Sequence, residues 1–149
     1  MMKWMDMPPV WLALFLVLTW VLAQILPGLT VSFAWQGPVA VVLFIVGVLL
    51  MGLAVWEMTR ARTTFIPHRN PDALVRSGIF RLSRNPIYLG DALVLTAFVI
   101  WFGVVLAIPG IWLFKRLIET RFIEGEEMRL RSAFGEGFED WARVTRRWM

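Results

Sequence analysis

The sequence predicts an all-α integral membrane fold of about four transmembrane helices, the last two a tight hairpin, with a cytoplasmic C-terminal amphipathic helix. Three observations predict it. The chain is 58% hydrophobic, with a mean hydropathy of +0.66. Only 17% of its 149 residues are Asp, Glu, Lys or Arg, against about a quarter in ordinary soluble domains. Those charges are also unevenly spread: none falls between Met7 and Trp56, and none between Ala92 and Phe114. A soluble fold of this length keeps too much surface in water to hide such runs.

A spanning helix needs roughly 20 apolar residues to cross a hydrocarbon core about 30 Å thick. The first span covers residues 10–26 and is closed by Pro27-Gly28, which cannot continue a helix. It is rich in Leu, Val and Trp, with Gln24 its polar feature, and reads as a lipid-facing packing helix. With one Lys before it, no small-residue cleavage site and further spans behind it, it is not expected to be a cleaved signal peptide. The second span covers residues 37–58. Its Gly47 and Gly52 are five apart, which is not the four-residue small-residue packing motif. The third covers residues 87–102. The fourth runs from Gly103 or Val104 to about Ile118, with Pro109-Gly110 expected as an internal kink. Almost nothing joins these last two, hence the hairpin. The whole chain, 1–149, is expected to be one membrane domain, with two plain spans in 1–58 and the chemistry in 59–149.

Charge sets the orientation. The loop between residues 26 and 37 and the turn near Gly103 carry no charge, whereas residues 60–86 carry six Arg and one Asp. The tail adds Arg129, Arg131, Arg143, Arg146 and Arg147. The positive-inside rule places both basic segments, and with them the N- and C-termini, in the cytoplasm; in a bacterial source the membrane is the inner one. The pI near 10.6 and the excess of 13 Arg over 2 Lys therefore read as topology, and no nucleic-acid partner is expected. Absence of Cys excludes disulfide scaffolds, cysteine zinc sites, iron–sulfur clusters and thiol nucleophiles. The lone histidine, His68, argues against a histidine metal site or a Ser-His-Asp triad, so no metal is expected.

Polar residues near a membrane are costly and therefore informative. One cluster runs from Thr63-Thr64 through Arg81, Ser83-Arg84-Asn85-Pro86 and Tyr88 to Gly90-Asp91. Pro86 pins an extended-to-helix transition, because proline pushes the preceding residue out of the α region and suits a first helical turn. The resulting helix N-terminus beside Arg81 and Arg84 favours an anionic group. Tyr88 is the only tyrosine among the aromatics, and Gly90 lets a backbone or ligand approach closely. The second cluster holds Glu126-Glu127, Leu130, Phe134-Gly135 and Arg146-Arg147-Trp148, with Glu127 spaced to pair with Arg131 at i+4. Each cluster alone also admits a plain reading. Tyr88 would be an interfacial anchor, and the tail a salt-bridged surface helix anchored by Phe134, Phe138, Trp141 and Trp148.

Taken together, the order Ile66-Pro67, Leu-Val-x-Ser-Gly-Ile-Phe-Arg, Ser-Arg-Asn-Pro-x-Tyr-x-Gly, hairpin, Glu-Glu-x-x-Leu and Phe-Gly-x-x-Phe resembles the isoprenylcysteine carboxyl methyltransferase family, which is grouped with the phospholipid N-methyltransferases. The resemblance covers residue 65 to the C-terminus. It implies a membrane enzyme that uses S-adenosylmethionine, bound in the C-terminal half, to methylate a hydrophobic acceptor: the carboxylate of an isoprenyl-type or lipidic substrate at the cytoplasmic face. Carried over by position, cofactor binding falls on Arg84, Asn85, Pro86, Tyr88, Gly90, Glu126 and Glu127, catalysis on Arg146, Arg147 and Glu127, and substrate binding on Arg81. The implied partners are a lipidic or isoprenoid small molecule and membrane lipids. Asn85 departs from the family's usual His, and Phe138 and Trp141 stand where tyrosines are usual. Two rival readings stand beside it. Membrane sterol and enone reductases, which use NADPH, carry a similar Arg-His-Pro-Asn-Tyr-x-Gly-Glu stretch, and a non-catalytic membrane scaffold would need no cofactor.

Overall fold

The computed structural model describes residues 7–64 and 71–149; Ile66-Pro67 and His68 lie outside the described residues. Among the described residues all regular structure is helical, apart from one isolated antiparallel bridge between Thr30 and Val104. Helix α1 (Pro8–Ile25) opens on prolines that need no backbone partner in a first turn, and it stops before Pro27. Helix α2 (Gln36–Arg60) has 25 residues, about 37 Å at 1.5 Å per residue. These two are long and apolar enough to cross a membrane. Helix α3 (Pro86–Phe102), also apolar but shorter, starts on Pro86 and ends at Gly103, whose φ of 65° supplies the left-handed stop.

Helix α4 (Ile108–Ile118) begins later than the sequence suggests. Val104 forms the bridge to Thr30, and Val105–Ala107 make a 3-10 turn. Pro109 therefore sits in the first helical turn, where its missing N–H costs nothing, and it does not kink a span. The chain then continues without a break through a π-helical turn, Glu119–Ile123, into α5 (Glu124–Phe134). Gly135, at φ 49°, separates α5 from the short α6 (Glu136–Val144).

Helix α2 packs on α3 through small residues. Ala40, Gly47 and Ala54, seven apart, are buried. A Cβ on Gly47 would lie 2.8 Å from the Gly90 carbonyl oxygen, and one on Gly90 would lie 2.6 Å from that of Gly47. The backbones thus touch, as small residues permit where lipid offers no hydrophobic driving force. The outer face of α2, with Val41, Val42, Phe44, Ile45, Val48 and Leu49, is exposed, a surface suited to acyl chains and not to water. On the other side of α3, Tyr88, Ala92, Leu95 and Val99 share a core with Phe15 of α1 and Phe114, Ile118, Phe122 and Ile123 of the long helix. Phe15 and Phe114 meet edge to face with centroids 5.4 Å apart.

The uncharged turns meet at one end of the bundle. Val31 N–H donates to the Gly103 carbonyl at 2.9 Å, and Gln36 Nε2 donates to the Trp101 carbonyl at 2.8 Å, satisfying an acceptor at the end of α3. At the opposite end a second core forms from Ala54, Val75, Phe80, Phe138 and Trp141. Trp141 Nε1 donates to the Phe80 carbonyl at 3.2 Å. Phe138 and Trp141 are thus interior residues that fasten α6 to the protein, not the interfacial anchors of the plain reading of the tail.

Candidate functional site

Three segments converge where α3 begins: the turn Ser83–Pro86, one face of α5, and the C-terminal segment after Val144. That last segment supplies acceptors. Arg84 N–H donates to the Arg146 carbonyl at 3.0 Å. Ser83 Oγ and Asn85 Nδ2 both donate to the Arg147 carbonyl, at 3.2 and 3.0 Å. Asn85 is the N-cap of α3, yet its side chain makes no cap bond; its amide nitrogen instead donates to the C-terminal segment.

The adjacent glutamates face different surroundings. Tyr88 hydroxyl donates to Glu126 Oε1 at 2.5 Å. Burial pushes the Glu126 carboxyl above the ordinary carboxylate range; the Glu127 charge adds to this, while the Tyr88 hydrogen bond and Arg129 oppose it. Glu127, buried, receives a fork from Arg147: Nε to Oε1 at 3.0 Å and NH2 to Oε2 at 2.7 Å. Arg84 NH2 adds an ion pair at 3.2 Å. Arg147 NH1 also reaches Glu119 at 2.6 Å, on the π-helical turn. The hydrogen bonds that Arg147 donates, to Glu127 first and also to Glu119, raise its guanidinium pKa above the usual range against the opposing effect of burial. Arg131, expected to pair with Glu127 along the helix, instead bonds Glu139 across Gly135.

A cleft opens on one side of this network. Of the site residues expected from sequence, Arg84, Asn85, Pro86, Tyr88 and Glu126 line it. Glu127 and Arg147 stand behind it as a paired latch. Gly90 lies against Gly47 in the α2–α3 contact, so its close approach is to a backbone. Arg81 is exposed on the far side of its 3-10 turn, along grooves formed with Glu57 and with Asp140, and the Arg146 side chain is exposed. The cleft also takes Met58, Thr63, Thr64, Leu130, Trp141 and Arg129, which sequence reasoning leaves out of the site. Thr63 fastens the nearby chain, its hydroxyl accepting the N–H groups of Asp72 and Ala73 at 3.1 and 3.3 Å. Arg129 carries one sequence signal, its i+3 spacing from Glu126. Among the described residues, two buried guanidinium atoms, Arg84 Nε and Arg129 Nε, meet no acceptor. A buried unpaired donor costs about 1–3 kcal/mol, and both arginines are among the residues that line the cleft. No group of acids and histidines able to hold a metal occurs among the described residues.

The sequence matches the phospholipid methyltransferase family over residues 35–136, well over half the chain. The chain belongs to this family. The match reaches from the start of α2 into α6, so it includes a span that the sequence motifs alone leave generic, while α1 and the C-terminal segment lie outside it. No curated protein and no solved structure matches the chain. Membership implies methyltransferase activity on lipid-type substrates, and the two long apolar helices accord with a membrane enzyme. Methyltransferases of this family generally use S-adenosylmethionine.

Proposed function

We propose that this family member transfers a methyl group from S-adenosylmethionine to the carboxylate of an isoprenyl-type or lipidic acceptor at the cytoplasmic membrane face. The observation that carries the reading is the convergence of Arg84, Asn85, Pro86, Tyr88 and Glu126, from segments 38 residues apart at the Tyr88–Glu126 bond, on one cleft with an unsatisfied Arg84 Nε. The cofactor offers a carboxylate, an ammonium, ribose hydroxyls and an adenine. The cleft offers guanidinium donors, the Glu126 carboxylate and apolar walls from Met58, Val75 and Leu130. The residue types fit the group.

When bound, the cofactor supplies an activated sulfonium methyl. The chain's own part is to bind, align and keep water out. Tyr88 and Glu126 orient the polar end, and Trp141 and Leu130 close the apolar side. A carboxylate acceptor, with a pKa of about 4, is already ionised at neutral pH and needs no base. Glu127, with both oxygens engaged, holds Arg84 and Arg147 in place and so acts behind the cleft. Arg81 and Arg146, both exposed and outside the cleft lining, are assigned to the approach of the anionic acceptor.

The same reading gives four crossings, with α3 and the α4 segment as the hairpin and both termini cytoplasmic. It is supported by the meeting of the two uncharged turns at one end of the bundle and of the basic segments at the other. Calorimetric titration of the detergent-purified protein with S-adenosylhomocysteine and, separately, NADPH tests the function. Saturable one-to-one binding of the former alone is expected. Binding of NADPH alone would move the chain to the reductase chemistry, and binding of neither would leave a scaffold.

A further inference from the structure

The two orphaned guanidinium atoms of the cleft differ in their surroundings. Arg84 is already tied to Glu127 at 3.2 Å and stacks near Phe138, 5.9 Å from its centroid. Arg129 projects from α5 three residues after Glu126, on the same helical face. Its Nε is buried without an acceptor, and its NH1 lies 3.5 Å from where a Cβ on Gly125 would stand, so the missing side chain leaves the guanidinium room. Glu126 and Arg129 both line the cleft, and the charge of Arg129 acts on Glu126. A carboxylate and a guanidinium side by side in a partly dehydrated cleft complement an ammonium and a carboxylate held on one carbon.

Resting on the proposed function, we infer that Arg129 receives the carboxylate of the cofactor's amino-acid end, with Glu126 receiving its ammonium. The adenosine end then takes the rest of the cleft, away from α5. The buried Nε gains its acceptor only when this zwitterion is present, which makes Arg129 a discriminator between ligands with and without the amino-acid group.

The test compares S-adenosylhomocysteine with 5′-methylthioadenosine, which keeps the adenosine and thioether but lacks the amino acid. Each is titrated calorimetrically into the full-length wild-type protein and into Arg129→Gln and Arg129→Lys. Arg129→Gln should weaken S-adenosylhomocysteine about tenfold to a hundredfold, the worth of a charged hydrogen bond. It should change methylthioadenosine by less than about twofold, which also shows that the variant is folded. Arg129→Lys should recover part of the loss, since charge returns without the fork. Equal weakening of both ligands, or of neither, overturns the inference while leaving the proposed function standing. If the wild type binds neither ligand, the proposed function itself fails and the inference falls with it.

Discussion

The two neighbouring glutamates offer the sharpest prediction, because identical substitutions one residue apart should fail in different ways. Glu127→Gln removes a charge that receives three nitrogen contacts, at 2.7, 3.0 and 3.2 Å, from Arg147 and Arg84. The Glu127 side chain is 10% exposed, and its partners are 14% and 31% exposed. Breaking a fully buried pair costs about 3–5 kcal/mol. Here Arg147 keeps Glu119 and some water, so the loss should be about 2–3 kcal/mol. For a chain of this size that lowers the melting temperature by about 4–12 °C.

Glu126→Gln should behave differently. Burial disfavours the Glu126 charge, and a Gln oxygen can still accept from the Tyr88 hydroxyl. Stability should therefore hold or rise, while affinity for S-adenosylhomocysteine falls about tenfold or more with the loss of its ammonium partner. Thermal unfolding in one detergent and calorimetry on both variants give the comparison. Equal stability losses, or a melting point for Glu127→Gln within about 2 °C of wild type, would refute the assignment of Glu127 to the latch.

Three further outcomes are expected. Tyr88→Phe keeps the ring beside Phe122 and removes only the hydroxyl on Glu126, so cofactor affinity or turnover should fall about tenfold without unfolding; unchanged kinetics would return Tyr88 to an interfacial anchor. With its folded pKa raised above the unfolded 4.5, Glu126 contributes stability that is complete below that pH and is lost as pH rises through the folded value. Over the same window affinity for an ammonium-bearing ligand should rise, and a pH series on wild type and Glu126→Gln should show both slopes only in the wild type. Gly90→Val drives a side chain into the Gly47 carbonyl and Met51, each 2.6 Å from its Cβ, whereas Gly52 has open space. Unfolding should show a loss of about 1–3 kcal/mol or more for the first and almost none for Gly52→Val.

Much of the architecture is legible in the sequence because proline, glycine and charge punctuate it. The boundaries at Pro27, Pro86 and Gly103 follow from backbone chemistry that no packing can override. Tertiary partners are harder to see. Helical spacing proposes Arg131 for Glu127, since it is the only basic residue three or four positions away; the segment after Val144 brings Arg147 instead. Gly47 is uninformative beside Gly52, yet its relevant neighbours are Ala40 and Ala54 at seven-residue steps, a seam visible only once α3 is known to cover it. Phe138 and Trp141 suit a membrane surface as well as they suit a core, and composition cannot choose between the two. Arg129 is one of 13 arginines, and what sets it apart, together with Arg84, is a buried atom without a partner among the described residues, a property of geometry alone.

How so short a chain fixes a cleft follows from where its rigidity lies. The family match ends at residue 136, but the segment that pins the start of α3 lies beyond it. Backbone carbonyls of Arg146 and Arg147 hold Ser83, Arg84 and Asn85, and the Arg147 side chain fixes Glu127 and Glu119 on the long helix. One short extended segment therefore ties the turn that carries Arg84 to the helix that carries Glu126 and Arg129. A small apolar core could not do this, since most apolar side chains of α2 face outward and contribute little to positioning the far end of α3. Alignment is what methyl transfer chiefly asks of a protein, and here it is held by a forked ion pair and three hydrogen bonds to backbone carbonyls. The family resemblance places Arg147 among the catalytic residues; its bonds to Glu127 and Glu119 make it a residue that ties the turn before α3 to the long helix.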